Sequence, residues 1–272
     1  MVKPGSIAWA ALMLACAHGP AFATDSAPAQ ASFVLESRVL GEARRINVQT
    51  PPQYELDGRL RHPVLYMPDG GLEEDFPHVA ATIDAAIRAG DIEAMILVGI
   101  ENTERRRDLT GPTTVASDRT IAPRVGGSAA FRAFIADELM PEVERRYRTS
   151  ARRAIVGESL AGLFVLETLF VRPDLFDTYV ALSPSLWWNE GALVKGAASR
   201  LDAWPRGRER TLYVATASDD DIGGAALALR DVLRARAPAG LRWQHEAWAE
   251  LDHSNIYRRA SPAVFRKVFA NR

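Results

Sequence analysis

Residues 153–164 read RAIVGESLAGLF, and this stretch decides which fold the sequence predicts. The apolar residues before Gly157 are typical of a short buried strand, whereas those after Gly162 continue as an apolar helix. A glycine at the end of the strand permits a tight turn between the two elements. The segment therefore predicts a strand, a sharp turn that carries Ser159, and a helix.

Strand-like and helical patterns alternate along the rest of the chain. Short apolar or alternating runs predict strands, and longer runs with a helical period predict helices. The strand-like runs cover residues 33–40, 43–49, 63–67, 94–100, 153–156, 179–182, 211–216 and 241–247, and the helical ones cover residues 76–89, 129–147 with a kink or a restart at Pro141, 160–171, 225–237 and 262–269. This alternation predicts an α/β fold with a mostly parallel central sheet and helices on both faces. Functional residues are then expected at the carboxyl ends of the strands.

The composition is that of an ordinary globular protein, with 47% hydrophobic and 25% charged residues among 272. Lys and Arg number 33 against 34 Asp and Glu, so the formal net charge of −1 argues against a nucleic-acid partner. A chain of this length fits one large domain. We expect a signal peptide over residues 1–23, a flexible lead-in over residues 24–31 and one α/β domain over residues 32–272.

The N-terminus has the pattern of a secretory signal peptide. Lys3 precedes an apolar run over residues 7–17, and Ala21-Phe22-Ala23 supplies the small residues of a cleavage site. We therefore expect an exported protein, periplasmic or extracellular, with its mature N-terminus at Thr24 and no stable membrane insertion. Lipoprotein anchoring is the minor alternative, because the residues up to Cys16 loosely match a lipidation box.

Ser159 is the candidate nucleophile. A hydrolase presents its serine hydroxyl at a sharp, crowded turn, beside a histidine base and facing backbone N–H donors. Gly157, Ala161 and Gly162 keep the side chains around this turn small, although Ala161 stands where the usual pattern has glycine. A serine that only caps the following helix would look the same, so the turn alone leaves both interpretations open.

His253 is the candidate general base. Of the five histidines, it alone follows the last predicted strand. A fold that orders serine, acid and histidine along the chain would place the base there. A histidine in a plain surface loop has the same sequence context, so the position favours the role without deciding it.

The acid of such a set should follow the predicted strand at residues 211–216. Asp219 and Asp220 stand there and are the preferred candidates to orient His253 and stabilise its imidazolium form. At least one aspartate of this loop is expected to be solvated or to cap a helix instead. The alternatives are Asp221, Glu250 and Asp252.

The oxyanion of an acyl-transfer intermediate needs two backbone N–H donors. The amide that follows the nucleophile, that of Leu160, is the first candidate. The second is expected from the loop after the third strand, where Gly70 and Gly71 allow a close approach of the backbone to the substrate. Consecutive glycines are also common in plain turns.

Several spaced blocks of sequence resemble the esterase family that includes esterase D, feruloyl esterases and enterochelin esterase-like hydrolases. The resemblance runs from Pro63 to the C-terminus, and the blocks keep their order along the chain. They are VLYMPDGG (64–71), VGIENT (98–103), RRRDLT (105–110), GESLAGLF (157–164), SPSLWWN (183–189) and HSNIY (253–257). The resemblance implies an α/β-hydrolase fold, with Ser159 as nucleophile and His253 as base.

The same resemblance implies roles for further residues. Gly71 and Leu160 would donate to the oxyanion. Trp187 and Trp188 would border the acyl or aromatic pocket, with Arg107 near its entrance, and one of the two tryptophans is expected to pack in the core. Some members of the family resemble a Ser-His dyad with a weak or absent third residue. The resemblance therefore leaves the acid open.

The expected protein is a serine carboxylic ester hydrolase that works through an acyl-enzyme and needs neither cofactor nor metal. Its expected partner is a small-molecule ester, with siderophore-type lactones or related aryl and acyl esters as the leading substrates. The alternatives are a carbohydrate esterase that removes feruloyl or acetyl groups, and a hydrolase-like binding protein that has lost turnover. The fold alone does not separate them, and the oligomeric state stays open.

Overall fold

The computed structural model describes Met1 and residues 29–205, 207, 209–218 and 220–271; for residues 220–223 it describes the backbone alone. Apart from Met1, the expected signal peptide lies outside this part of the chain. No helix in the described residues is long and apolar enough to cross a membrane.

One eight-stranded sheet organises the fold, in the order β1-β2-β4-β3-β5-β6-β7-β8. β1 and β2 pair antiparallel, β2 is antiparallel to β4, and the remaining pairs are parallel. The strands are β1 (Gln30–Ser37), β2 (Glu42–Gln49), β3 (His62–Pro68), β4 (Ile96–Ile100), β5 (Thr149–Glu158), β6 (Thr178–Leu182), β7 (Arg210–Thr216) and β8 (Leu241–Ala247). Because β3 to β8 run parallel, their carboxyl ends meet along one edge of the sheet.

Helices cover both faces of this sheet, as the alternating pattern predicts. They are α1 (Phe76–Arg88), α2 (Arg105–Leu109), α3 (Ala116–Thr120), α4 (Ser128–Phe134), a π-helical turn (Ile135–Leu139), α5 (Met140–Arg146), α6 (Leu160–Val171), α7 (Trp188–Lys195), α8 (Ala197–Asp202), α9 (Asp220–Arg236) and α10 (Ile256–Phe269). Helices α1 and α10 pack on one face, and α4, α5, α6, α8 and α9 pack on the other.

The period of two along each strand separates the two cores. On β3, Val64 and Tyr66 pack into the cluster under α4 to α6, whereas Leu65 and Met67 pack into the cluster under α1 and α10. All four are essentially inaccessible to solvent. Burying a large apolar side chain stabilises a fold by roughly 1.5–3 kcal/mol, so a continuous apolar run is what a doubly covered strand requires.

The strand β1 begins earlier than the sequence indicates. Residues 30 and 31, assigned above to the flexible lead-in, pair with β2, and Gln30 Nε2 donates a 2.8 Å hydrogen bond to Gln49 Oε1. The polar character of this edge strand hides its start, because alternation is visible only from Phe33 onward. The ordered domain therefore extends two residues beyond the predicted boundary.

Two prolines lie in helical segments. The predicted helix over residues 129–147 is present as α4, a π-helical turn and α5, and it restarts at Met140 with Pro141 in the first turn of α5. A wider turn accommodates the proline ring and its missing N–H. Pro262 lies inside α10, which begins at Ile256 rather than at the proline. The last helix is therefore longer than predicted, and its first turn directly follows the loop that carries His253.

Candidate active site

Ser159 lies at a strained turn between β5 and α6. Its backbone angles are φ 59° and ψ −121°, a region that non-glycine residues adopt at a cost of about 1–3 kcal/mol. Its N–H donates to Leu182 O of the neighbouring strand at 3.1 Å. The sheet thus holds the serine in a conformation that a free turn would leave.

Small residues let the helix approach the strand at this turn. A Cβ at Gly157 would lie 2.6 Å from the backbone carbonyl carbon of Ala161 and 2.7 Å from the Ala161 methyl. A Cβ at Gly162 would lie 3.1 Å from Leu182 O and from Pro184 Cα. The methyl of Ala161, which departs from the usual glycine, is therefore accommodated because position 157 has no side chain.

Replacing Gly157 by alanine is expected to destabilise the protein by about 2 kcal/mol or more, because overpacking against backbone atoms has no flexible side chain to relieve it. Gly58→Ala is the matched control, since a Cβ there has no heavy atom within 4 Å. Urea unfolding of both variants measures the difference. Equal midpoints for the two variants would show that the turn relaxes at no cost.

His253 stands beside the candidate nucleophile. Its Nε2 lies 3.0 Å from Ser159 Oγ, and its Nδ1 lies 3.1 Å from Ser183 Oγ. In the tautomer that carries the proton on Nδ1, the imidazole donates to Ser183 and accepts the Ser159 hydroxyl proton at Nε2. The structure thus brings Ser159 and His253 together across 94 residues of chain.

The loop that carries His253 is fastened at both ends. Leu251 N–H donates to Trp248 O at 3.0 Å, and Ser218 N–H donates to Leu251 O at 2.8 Å, which ties the loop to the end of β7. Ile256 N–H donates to Asp252 O at 3.0 Å, which starts α10 directly after the histidine. These bonds fix the backbone on either side of the imidazole.

Two serines that the sequence analysis did not single out complete the polar surroundings. Ser183, fully buried and at φ 42°, meets His253 Nδ1 directly after β6. Ser185 Oγ lies 3.2 Å from Ser159 Oγ, and the Ser185 N–H donates to Ser159 O at 3.0 Å. Both lie in the block SPSLWWN, directly after the carboxyl end of β6. That position was the feature of the sequence from which a role in the site could have been predicted.

The side chains of the two preferred acids, Asp219 and Asp220, are not among those described. Asp219 lies outside the described residues, and Asp220 opens α9 with only its backbone described. Of the alternatives, Asp252 turns its carboxylate to Ser254, accepting from its N–H at 2.9 Å and its hydroxyl at 2.5 Å. Asp252 is thus engaged in its own turn.

A carboxyl that the sequence analysis passed over, that of Glu158, lies at the site. Its Oε1 is 3.3 Å from His253 Nε2, and its side chain is 14% exposed. Burial raises the pKa of Glu158 to about 8; Arg105 opposes this effect, and Asp69 and Asp75 add to it. The turn motif accepts many residues between Gly157 and Ser159, so sequence reasoning had no signal for this one.

The three candidate oxyanion donors differ in availability. Leu160 N–H, at the first position of α6, makes no hydrogen bond within the described residues. Gly70 N–H donates to Ile100 O at 2.9 Å as part of the sheet, so this amide is not available to a substrate. Gly71 N–H donates to Glu74 Oε2 at 2.7 Å, and an oxyanion would have to displace that carboxylate.

The tryptophan pair divides as expected, with one ring in the core and one at the surface. Trp188 is 4% exposed and donates its Nε1–H to Gly111 O at 2.9 Å, whereas Trp187 is 41% exposed. The ring centroids are 6.0 Å apart in an edge-to-face arrangement. Only Trp187 presents an aromatic surface that a ligand could contact.

Arg107 is held in a structural ion-pair network. Its guanidinium donates to Glu42 at 2.7 and 3.0 Å and to Asp108 at 2.7 Å. Arg105, on the same short helix, instead makes two bonds of 2.7 and 2.8 Å to Asp69, and its charge acts on Glu158. That Arg107 lies near the entrance of the substrate pocket stays a prediction.

The comparisons with known proteins agree with this architecture. A family model described as "Putative esterase" matches residues 37–225. The chain belongs to this esterase family. An IroE-like serine hydrolase from Shewanella oneidensis superposes with a TM-score of 0.81 at 29% identity, covering 89% of this chain and 80% of that one. The siderophore hydrolase EstB from Aspergillus nidulans superposes with a TM-score of 0.74 at 22% identity, over 91% and 97%. The fold is that of the α/β hydrolases.

Several curated proteins that this chain resembles are named as siderophore esterases. The chain is 37% identical over 154 residues to ferri-bacillibactin esterase BesA of Bacillus subtilis, covering 49% of this chain and 51% of the relative. It is 36% identical over 190 residues to the siderophore triacetylfusarinine C esterase of Aspergillus fumigatus, covering 64% and 62%. The matches thus span about half to three fifths of these relatives.

Proposed function

We propose that this chain is an exported serine esterase that opens siderophore-type lactones or related aryl and acyl esters through an acyl-enzyme. The observation that carries the proposal is the 3.0 Å approach of His253 Nε2 to Ser159 Oγ at a strained strand-to-helix turn. Export is supported by the signal-like pattern of residues 1–23. The described residues include no grouping suited to a metal ion, and the proposed reaction needs none.

The proposed reaction proceeds in two halves. Ser159 Oγ attacks the ester carbonyl while His253 Nε2 takes the proton of the Ser159 hydroxyl. The oxyanion that forms accepts a hydrogen bond from the N–H of Leu160. Collapse expels the alcohol, which takes the proton from His253, and leaves an acyl-Ser159 ester. Water then attacks that ester by the same route and releases the acid. Asp219 or Asp220 is proposed to orient the imidazole.

Two features support an aryl or lactone substrate. The curated relatives that match this chain are named as siderophore esterases. Trp187 exposes its ring two residues after Ser185, whose hydroxyl contacts that of Ser159. An exposed aromatic face is suited to stack on a planar acyl group. A second donor to the oxyanion, from Gly71, is proposed to become available when Glu74 turns away.

A comparison of two substrates tests the proposal. The mature protein should release the linear hydroxy acid from a catecholate trilactone with a kcat/KM at least about tenfold above that for a feruloylated oligosaccharide, a difference of about 1.4 kcal/mol. Mass spectrometry of acid-quenched reactions should show the acyl-enzyme. Turnover of the sugar ester alone would favour the carbohydrate esterase, and no turnover of either would favour a binding protein.

A further inference from the structure

Glu158 occupies a place that makes it part of the proton chemistry of the site. It lies between Gly157 and the nucleophile, and its Oε1 is 3.3 Å from the same His253 nitrogen that meets Ser159 Oγ at 3.0 Å. Within the described residues, the polar group that the Glu158 carboxyl contacts is the imidazole of His253. Two groups therefore compete for one imidazole nitrogen, which has either one lone pair or one proton to offer.

The surroundings leave the negative charge of Glu158 poorly compensated. The cation that acts on Glu158 is Arg105 of α2. Its guanidinium donates two hydrogen bonds to the carboxylate of Asp69. Burial raises the pKa of Tyr257, on α10, well above its usual range, so this phenol stays neutral. The charged and titratable groups that face Glu158 from the packed elements are Arg105 (α2), Asp69 (after β3), Asp75 (before α1), Tyr257 (α10) and His253 (before α10).

A carboxyl in these surroundings keeps its proton up to the pH range in which histidine titrates. When Glu158 is protonated, its O–H can be donated to His253 Nε2, and when the proton moves across, an imidazolium faces a carboxylate. In both arrangements the Nε2 lone pair is occupied and cannot accept the Ser159 proton. When that proton leaves for water, Nε2 becomes free and the carboxylate remains beside it.

We propose that Glu158 and His253 form one coupled acid–base pair, in which a shared proton blocks Nε2 and its release to water allows His253 to activate Ser159. This inference rests on the proposed esterase function for its kinetic consequence but not for the pairing itself. Glu158 acts through His253 and is a positioning residue. Once ionised, it also stabilises the imidazolium that forms during attack.

The pairing is tested without any substrate, by NMR titration of the imidazoles in the full 15N-labelled chain. The His253 signals, assigned from their loss in His253→Ala, should titrate in two steps, with an upper midpoint about one pH unit or more above the ordinary histidine value near 6.5. In Glu158→Gln a single step near the ordinary value is expected. Glu158→Ala, which like Glu158→Gln lacks the titratable carboxyl and in addition has no side-chain donor, should behave alike and covers the case in which the Gln variant does not fold.

The kinetic consequence is a crossing of two pH profiles. In Glu158→Gln the rise of kcat/KM with pH should move down by about one unit, because the competing proton is absent, while the plateau should fall by about tenfold, because the imidazolium loses its carboxylate. Glu144→Gln is the matched control, since Glu144 pairs with Arg153 in the middle of β5. Its profile should match that of the wild type.

Identical His253 titrations in the wild type and Glu158→Gln would overturn the pairing. That result is independent of whether the protein hydrolyses the chosen ester, because NMR reports the protonation of the imidazole directly. Absence of hydrolysis with a shifted His253 titration would instead contradict the esterase proposal and uphold the pair. The two proposals therefore fail in distinguishable ways.

Discussion

Ser159→Ala is expected to abolish labelling by a fluorophosphonate and to lower kcat for ester hydrolysis by about 10⁴–10⁶-fold. The alanine removes the oxygen that forms the acyl-enzyme, and the remaining oxyanion donor and binding groups supply only a small part of the rate. The measurement is gel fluorescence after labelling, together with initial rates on an activated aryl ester. Circular dichroism should show that the variant keeps its fold.

Ser185→Ala is the matched control for this experiment. Its hydroxyl lies 3.2 Å from Ser159 Oγ, whereas the hydroxyl that meets His253 Nε2 at 3.0 Å is that of Ser159 itself. We expect Ser185→Ala to keep its labelling and to lose at most about tenfold in rate, as for one neutral hydrogen bond. Undiminished labelling of Ser159→Ala would show that another residue is the nucleophile.

The strand-turn-helix at residues 153–164 was predictable because its chemistry is local. Gly157 and Gly162 indicate a close approach of helix and strand. In the structure, a Cβ added at either position would lie within 3.1 Å of backbone atoms. The strands β3 to β7 were predictable as elements, since each contains a short run of buried apolar residues. The edge strand β1 was harder, because one polar edge carries no strong period.

The details of the site depend on contacts that sequence spacing does not encode. Two neighbouring arginines, Arg105 and Arg107, bind different carboxylates because they leave a short helix in different directions. The amides of Gly70 and Gly71 are engaged by Ile100 O and Glu74. Whether these N–H groups are free depends on their partners in the folded chain, a distant carbonyl for Gly70 and a nearby side chain for Gly71, and the spacing of the two glycines indicates neither partner.

The role of Glu158 also depends on contacts that the sequence does not reveal. Its neighbours in sequence indicate a nucleophile, but its raised pKa comes from burial and from Asp69 and Asp75, which lie between the neighbouring strand β3 and helix α1. A shifted pKa needs a low-dielectric environment and specific partners. Neither is visible in a motif of five residues.

His253→Ala is expected to lower kcat/KM for ester hydrolysis by about 10²–10⁴-fold, the usual contribution of a positioned general base. The imidazole is the group that meets Ser159 Oγ at 3.0 Å, so its removal leaves the hydroxyl to water. Fluorophosphonate labelling should slow by a similar factor, because the same proton must leave Ser159 in that reaction. Rates with a fast aryl ester at several pH values give the measurement.

His245→Ala supplies the matched control, because His245 lies on β8 and its Nε2 meets Thr216 Oγ1 at 3.1 Å. Its loss should cost stability but leave kcat/KM within about threefold of the wild type, as for a residue that touches no reacting atom. Added imidazole should restore part of the activity of His253→Ala, since the truncated side chain leaves room beside Ser159. Full activity of His253→Ala at neutral pH would contradict the assignment of the base and, with it, the pairing with Glu158.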